Sequence, residues 1–358
     1  MSTPVFSVRP LSSQTGNSSG ATTGSIISNG GLAPVTGRRV LPADTQALPG
    51  VSFVVPVYNK APHIPRVLAQ IKAQQGDFPR QFVFLDDGST DGSLDIVRAE
   101  TEGWENLVIE HQANAGSAAA TNAAIALADQ PYLKFVDADD LLTDRATLVL
   151  LRALSDSDAC LIYGGVQRFA ATENPQLQGP SDQTHVERID EPLLAALKNS
   201  LFNPTQFLAR TDAVREVGGC DERVVHSQEY GLTLRLARKW AFLKLDETVA
   251  WLPEDSTGRL STNEGRQLQR VTRAVAYFLA DYPDLPNSVK SYACKRLAGR
   301  AWKYARRRGG EGTVGRWFWR NLAAQLNFLR DHAAFADECV AAFESAEGRP
   351  VGEQAPNY

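Results

Sequence analysis

The chain predicts an α/β protein with a mostly parallel central sheet flanked by helices and a helical C-terminal extension. Three observations carry that expectation. Between Val51 and Tyr163, short β-branched or aromatic runs alternate with segments of helical period. The connections between them are short, and such repeated strand–helix–strand units close into a parallel sheet. Unusual polar residues collect just after the strands, the end of an open parallel sheet where ligands bind.

Length and composition set the outer bounds. At 358 residues the chain can bury a large core, and its length suggests about two or three domains. An apolar fraction of 43% is ordinary for a soluble globular protein. The net charge of −4 argues against nucleic acid as a partner of the whole molecule. Cys160, Cys220, Cys294 and Cys339 are far apart and form no CxxC pair, which speaks against a zinc ribbon or disulfide framework and for a reducing compartment. No apolar run reaches the ~18–20 residues of a membrane span, and the N-terminus lacks a signal-peptide layout. The expected location is cytoplasmic.

Residues 1–48 are rich in Ser, Thr, Gly and Pro without a sustained period, so an unstructured N-terminal segment is expected. Val51–Val57 is an apolar strand. Ala61–Gln75 places Ile64, Val67, Leu68 and Ile71 on one helix face. Gln81–Leu85 is the next strand, Ser93–Thr101 a helix, Leu107–Ile109 a third strand and Ser117–Ala128 an Ala-rich helix. Tyr132–Val136 is a fourth strand, Thr143–Leu154 a helix and Ala159–Tyr163 a strand. Phe202–Leu208 and Val249–Leu252 are further strand candidates. From about Thr262 to Ser345 the pattern is helical, with breaks near Tyr282–Pro286 and Gly309–Gly315. The expected division is 49–260 as the main domain (about 49–165 for a nucleotide, about 166–260 for an acceptor) and 261–358 as a helical region.

The most demanding stretch is Phe135-Val-Asp-Ala-Asp-Asp-Leu-Leu142. Three carboxylates at one strand end repel one another and are costly to desolvate. A hard cation such as Mg²⁺, which takes oxygen ligands and shares them with phosphates, would resolve the conflict. A solvated acidic turn capping the next helix is the plainer alternative. Asp86-Asp-Gly-Ser-Thr-Asp91 reads as a turn in Gly88, Ser89 and Asp91, but turn chemistry leaves two adjacent carboxylates at a strand end unexplained. Tyr58 either packs or stacks on a base. Asn114 and Gly116 either start a helix or bring its N-terminus to an anionic donor. The turn Val57-Tyr-Asn-Lys60 has no glycine, and no G-x-x-x-x-G-K-[ST] occurs. A dinucleotide fold and a P-loop are thereby excluded.

Five pieces in order, Val54-Val-Pro-Val-Tyr-Asn59, Asp86-Asp-Gly-Ser-Thr-Asp91, Asn114-x-Gly116 with Asn122, Phe135–Leu141 and Val217-Gly-Gly-Cys-Asp221, resemble the inverting, metal-dependent GT-A glycosyltransferases of family 2. The resemblance spans roughly residues 50–250. It implies a nucleotide-diphosphate-sugar donor, UDP-sugar by default, and a hydroxyl acceptor on a glycan or lipid, in cell-surface glycan or polysaccharide synthesis. It implies that Tyr58 and Asp87 contact the base, that Pro56 and Asn59 shape that pocket, and that Asn114, Gly116 and Ala138 join the donor-binding set. Asp139 would hold Mg²⁺ or Mn²⁺ on the diphosphate with help from Asp137, and Asp140 would support them. The family's acceptor-side Glu-Asp pair has become Gln228-Glu229, which makes Glu229 the implied catalytic base and His226 the reserve. Thr121 stands where the family often has Arg. The departure at 228–229 is the main support for the alternative, a non-catalytic nucleotide-sugar-binding or scaffold member of the same fold.

Residues 290–320 carry ten Lys and Arg against Glu311, with Trp302, Tyr304, Trp317, Phe318 and Trp319 interleaved. One reading is peripheral contact with an anionic membrane surface. The other is a solvated face with its aromatics packed inward.

Overall fold

The computed structural model of the chain describes residues 36–39 and 47–345, apart from 171–172, 174, 182–183, 225–227, 255–263 and 309–312. Within the segment expected to be unstructured, Thr36–Arg39 forms an edge strand, β1. The first buried strand, β2 (Val51–Val57), is followed by α1 (Ile64–Lys72), whose buried residues are the predicted Ile64, Val67, Leu68 and Ile71. Then come β3 (Arg80–Asp86), α2 (Ser93–Glu100), β4 (Leu107–His111), α3 (Ser117–Leu127) and β5 (Tyr132–Phe135). The order of β5, β2, β3 and β4 is parallel throughout. Their alternate residues enter two cores. Phe53, Val55 and Val57 face α1 and its neighbours, while Val54, Val83 and Leu85 face α3. Burial on both faces is what a parallel sheet requires, and it is why these strands read as continuous apolar runs.

A two-residue strand, β6 (Leu141–Leu142), follows the acidic stretch and precedes α4 (Ala146–Ser155). The helix starts later than the sequence period suggests, because the Thr143 and Asp144 N–H groups donate to the Val249 and Leu177 carbonyls instead. The chain continues through β7 (Leu161–Phe169), β8 (Val186–Ile189), α5 (Leu193–Lys198), a 3₁₀ turn at Pro204–Gln206, β9 (Phe207–Arg210), α6 (Thr211–Glu216), α7 (Gln228–Ala237) and β10 (Phe242–Pro253). Beyond the parallel half the sheet is mixed. β9 lies antiparallel between β5 and β7, β10 runs parallel to β7, and β6 and β8 pair antiparallel with β10. β1 completes the edge against β8. The expected strand at Phe202–Leu208 begins only at Phe207, since Pro204 has no N–H for a ladder and starts the 3₁₀ turn instead.

Four helices end the described chain: α8 (Glu264–Asp281), α9 (Asn287–Arg308), α10 (Arg316–Gln325) and α11 (His332–Ser345). Ala274, Phe278, Ala298, Tyr304, Trp317 and Phe343 share one apolar core with Leu232 and Leu236 of α7. The basic, aromatic stretch 290–320 is thus partly a packing surface. Tyr304 and Trp317 are buried, and Arg296 and Arg300 both donate to the Lys198 carbonyl, at 2.9 and 2.7 Å, which ends α5. All four cysteines are free and buried. Among the described residues no helix is long and apolar enough to cross a membrane.

Candidate active site

The carboxyl ends of β2, β3 and β5 converge with the start of α7. At the end of β5 the chain turns sharply, and the Asp140 N–H donates to the Asp137 carbonyl at 3.0 Å. Thr205, brought in by the 3₁₀ turn, pins this loop. Its hydroxyl accepts from the Asp137 N–H at 3.0 Å and donates to the Asp140 carboxylate at 2.7 Å. Asp140 is therefore a buried structural acid. Asp139, also buried, turns the other way and pairs with the Lys60 ammonium at 2.7 Å. Ala138 between the acids is buried, and Asp137 is half-buried.

Lys134 lies beneath the acidic loop, inside a strand read from sequence as purely apolar. It is fully buried. Its ammonium donates to the carbonyls of Thr205 at 2.5 Å, Phe135 at 3.1 Å and Phe207 at 3.3 Å. Burial pushes its pKa down to about 7, against the attraction of Asp140 and Asp137. The side chain staples β5 to the turn that carries Thr205, so it positions the acidic loop without reaching the surface. Lys134→Met keeps the length and removes the donors. It should cost about 3–5 kcal/mol, the range for breaking a buried charged arrangement, read as a lower urea midpoint with an unchanged slope.

Asp86 and Asp87 both end up buried. The Asp87 carboxylate accepts from the backbone N–H groups of Ala115 and Gly116, both at 2.9 Å, and from Gln112 Nε2 at 2.7 Å. Three of its roughly four acceptor sites hold the loop that leads into α3. Gly88 is required here, because its φ is +77° and a Cβ would lie 2.8 Å from the Asn114 nitrogen. Asp86 accepts from the Ser89 N–H at 3.1 Å and sits 2.8 Å from His111 Nδ1. Asn59, at φ 49°, accepts from the Thr90 N–H at 2.8 Å. Tyr58 is half-buried and Asn114 exposed at the same end of the sheet.

Glu229 sits in the first turn of α7. It lines one recess with Pro56, Phe135, Asp137, Pro204 and Phe207. Thr121 and Cys220 lie in the same wall. Burial pushes the Glu229 carboxyl up to about 7, with the Asp137 charge adding to the shift and its own backbone N–H opposing it. The helix that carries Glu229 is fixed by the Val217–Asp221 segment. Gly218 and Gly219 take positive φ, and a Cβ on Gly219 would lie 2.4 Å from Asn122 Oδ1. Asn122 accepts from the Cys220 N–H at 2.7 Å and donates to the Cys220 carbonyl at 3.0 Å. Arg235 of α7 donates to the carbonyls of Gly219 at 2.5 Å and Val217 at 3.1 Å. Asn122 and the two glycines are thus scaffold for α7. His226 lies outside the described residues.

Sequence reading missed Lys60, Lys134 and Thr205. Lys134 could have been found as the one charge inside an apolar strand. Thr205 had no signal, because the turn that brings it 68 positions back to Asp137 is a tertiary event.

Among the described residues no three His, Cys, Asp or Glu side chains form a metal cage. The donor set fits a cation that shares its coordination with a diphosphate, which needs only one or two carboxylates. Asp139 already takes a cation, the Lys60 ammonium, at a side-chain exposure of 8%, and Asp137 lies two residues away.

The architecture, a parallel half-sheet with its polar residues at the carboxyl ends and a mixed half beyond it, is of GT-A type. Residues 52–218 match the family described as glycosyl transferase family 2. The chain is 28% identical over 181 residues to a poly(ribitol-phosphate) beta-glucosyltransferase of Bacillus spizizenii, covering 46% of this chain and 28% of that one. It is 36% identical over 124 residues to a PGL/p-HBAD biosynthesis glycosyltransferase of Mycobacterium tuberculosis, covering 34% and 48%. The chain therefore spans less than half the length of these curated relatives. In fold it is similar to residues 1–349 of Staphylococcus aureus TarS in complex with UDP-GlcNAc, with a TM-score of 0.58, 18% identity, and 83% and 90% of the two chains covered. It is also similar to a mannosyltransferase of Pyrobaculum calidifontis in complex with GDP-Man and Mn²⁺, with a TM-score of 0.52, 19% identity, and 87% and 89% covered.

Proposed function

We propose that the chain transfers a sugar, with inversion, from a nucleotide-diphosphate donor to a hydroxyl acceptor on a glycan or lipid-linked glycan. One observation carries this reading: Glu229 and Asp137 face one recess at the carboxyl ends of β2 and β5. A base on the acceptor side and an acid on the donor side are thereby within one site. Tyr58, Asn59 and Asp87 are assigned to the nucleotide, with Pro56, Asn114, Gly116 and Ala138 shaping its surroundings. Asp139 and Asp137 would hold Mg²⁺ or Mn²⁺, which when bound supplies Lewis-acid stabilisation of the leaving diphosphate. Glu229 takes the acceptor hydroxyl proton at its carboxylate, on the face opposite the leaving group. A carboxyl raised to about 7 is a far stronger base than an ordinary one and is still ionised in part at neutral pH. UDP-sugar is favoured by analogy with the TarS complex, which is an argument from fold. Relatives named for poly(ribitol-phosphate) and PGL/p-HBAD glycosylation favour work on cell-surface polymers or glycolipids, at the cytoplasmic side.

A thermal-shift screen of UDP-, GDP- and dTDP-sugars with and without Mn²⁺ tests the reading. We expect a metal-dependent rise with one nucleotide, UDP first. A second reading, donor binding without turnover, draws on the Lys60–Asp139 ion pair, in which a fixed ammonium takes the place of a metal. It predicts a shift with no Mn²⁺ requirement and no release of nucleotide when acceptor is added. No shift with any donor would remove both.

A further inference from the structure

Six large hydrophobic side chains are exposed among the described residues, and four of them fall in one short segment: Val314, Trp319, Leu326 and Phe328. Helical period explains part of the grouping. Trp317 and Ala324 of α10 are buried against the core, so Trp319 and Leu326, seven residues apart, share the opposite face. Phe328 is held beside them. The Phe328 N–H donates to the Ala323 carbonyl at 2.9 Å and the Asn327 N–H to the Ala324 carbonyl at 3.1 Å, with Asn327 at φ 58°. This paired closure of a helix usually tucks the second residue past the cap onto the helix. Here that residue is a phenylalanine 74% exposed. The backbone is fixed while the ring points to solvent.

The charge around this face is basic. Phe318 of α10 contacts Trp302 of α9 edge-on, with ring centroids 5.8 Å apart, which brings the end of α9 alongside. Lys303, Arg306 and Arg307 are exposed there, and Arg330 is exposed just past Phe328, next to Asp331, which accepts from the Ala334 N–H at the start of α11. The nearby Glu338 is occupied by Arg316 and Arg320.

We propose that this face, rather than 290–320 as a whole, docks on an anionic lipid surface, with Trp319, Leu326 and Phe328 entering the interface and the α9 cations lying over the headgroups. The reading does not depend on the sugar-transfer chemistry, because lipid binding is measured without donor or acceptor.

The test is flotation of the full chain with phosphatidylcholine vesicles, with and without phosphatidylglycerol. Binding is expected only with phosphatidylglycerol and should weaken as salt is raised. Trp319→Ser with Phe328→Ser should lose it. Arg306→Glu with Arg307→Glu should reduce it by more than about fivefold per residue, the effect of one surface cation near an anionic leaflet. All four positions are exposed, and unchanged melting curves confirm the fold of each variant. No binding, equal binding to neutral vesicles, or full binding by the Trp319/Phe328 variant would overturn the proposal. So would sedimentation velocity that showed a dimer abolished by the same variant, which would assign the face to a second copy of the chain.

Discussion

Replacing Glu229 with Gln should lower turnover by about 10²–10⁴-fold, the usual worth of a general base, while the donor-induced thermal shift stays unchanged. The side chain lies in the recess wall beside Asp137, and Gln keeps its shape. The base acts as a carboxylate, and burial has raised its pKa to about 7. The rate should therefore climb with pH through about 7 and flatten above it. Stability runs the other way. A carboxyl whose folded pKa lies above its unfolded value binds more protons in the native state between the two, so its contribution falls as pH rises from about 4.5 to about 7. Glu229→Gln should accordingly melt higher than the parent at pH 8 and show little difference at pH 4. A catalytic base held in an unfavourable setting predicts both effects together. A carboxylate that merely favours the start of α7 predicts neither a loss of rate nor a gain in stability. Glu229→Asp separates the two further. The shorter side chain matches the family's usual residue, yet α7 here is placed for Glu, and a retreat of about 1 Å should cost roughly a hundredfold.

The parallel half of the fold and the ligand end of the sheet were legible in the sequence, because fully buried strands must be apolar and the polar residues just past them have no packing reason to be there. The strand order Val51–Val57, Arg80–Asp86, Leu107–His111 and Tyr132–Phe135 follows that logic. The mixed half was not legible. β9 inserts antiparallel between β5 and β7, and nothing local distinguishes it from a parallel strand. The site divided in the same way. The acidic residues announced themselves by charge, but charge did not distinguish an acid that meets ligand from one that holds the frame. Asp140 is tied to Thr205 and Asn122 to Cys220, while Asp87, assigned to the nucleotide, also holds the N–H groups of Ala115 and Gly116. Each is part of a recognisable motif, and each spends hydrogen-bonding capacity on backbone or neighbours. Lys134 shows the converse. A lysine in a strand reads as an edge or a surface, yet three carbonyls give it a complete buried shell.

Asp139→Ala should abolish the metal-dependent part of donor binding and lower transfer by on the order of a thousandfold, if Lewis-acid stabilisation is worth several kcal/mol. The carboxylate is the most buried partner of the Lys60 pair, at 8% exposure against 33% for the lysine side chain. The aspartate is therefore the fixed member and Lys60 the movable one. Asp139 would hold a divalent cation in place of the ammonium, and Lys60, the more exposed partner, would then be available to an anionic donor. Lys60→Met should then tighten Mn²⁺ binding to the donor-free protein, since Asp139 no longer has to surrender a partner, and weaken binding of the nucleotide diphosphate, which loses a cation. Titration calorimetry reads the two effects separately. If Lys60 instead served as a permanent substitute for metal, Lys60→Met would abolish donor binding outright and Mn²⁺ would not restore it. Opposite signs for metal and diphosphate in the same variant are the outcome expected when Asp139 is shared between two cations.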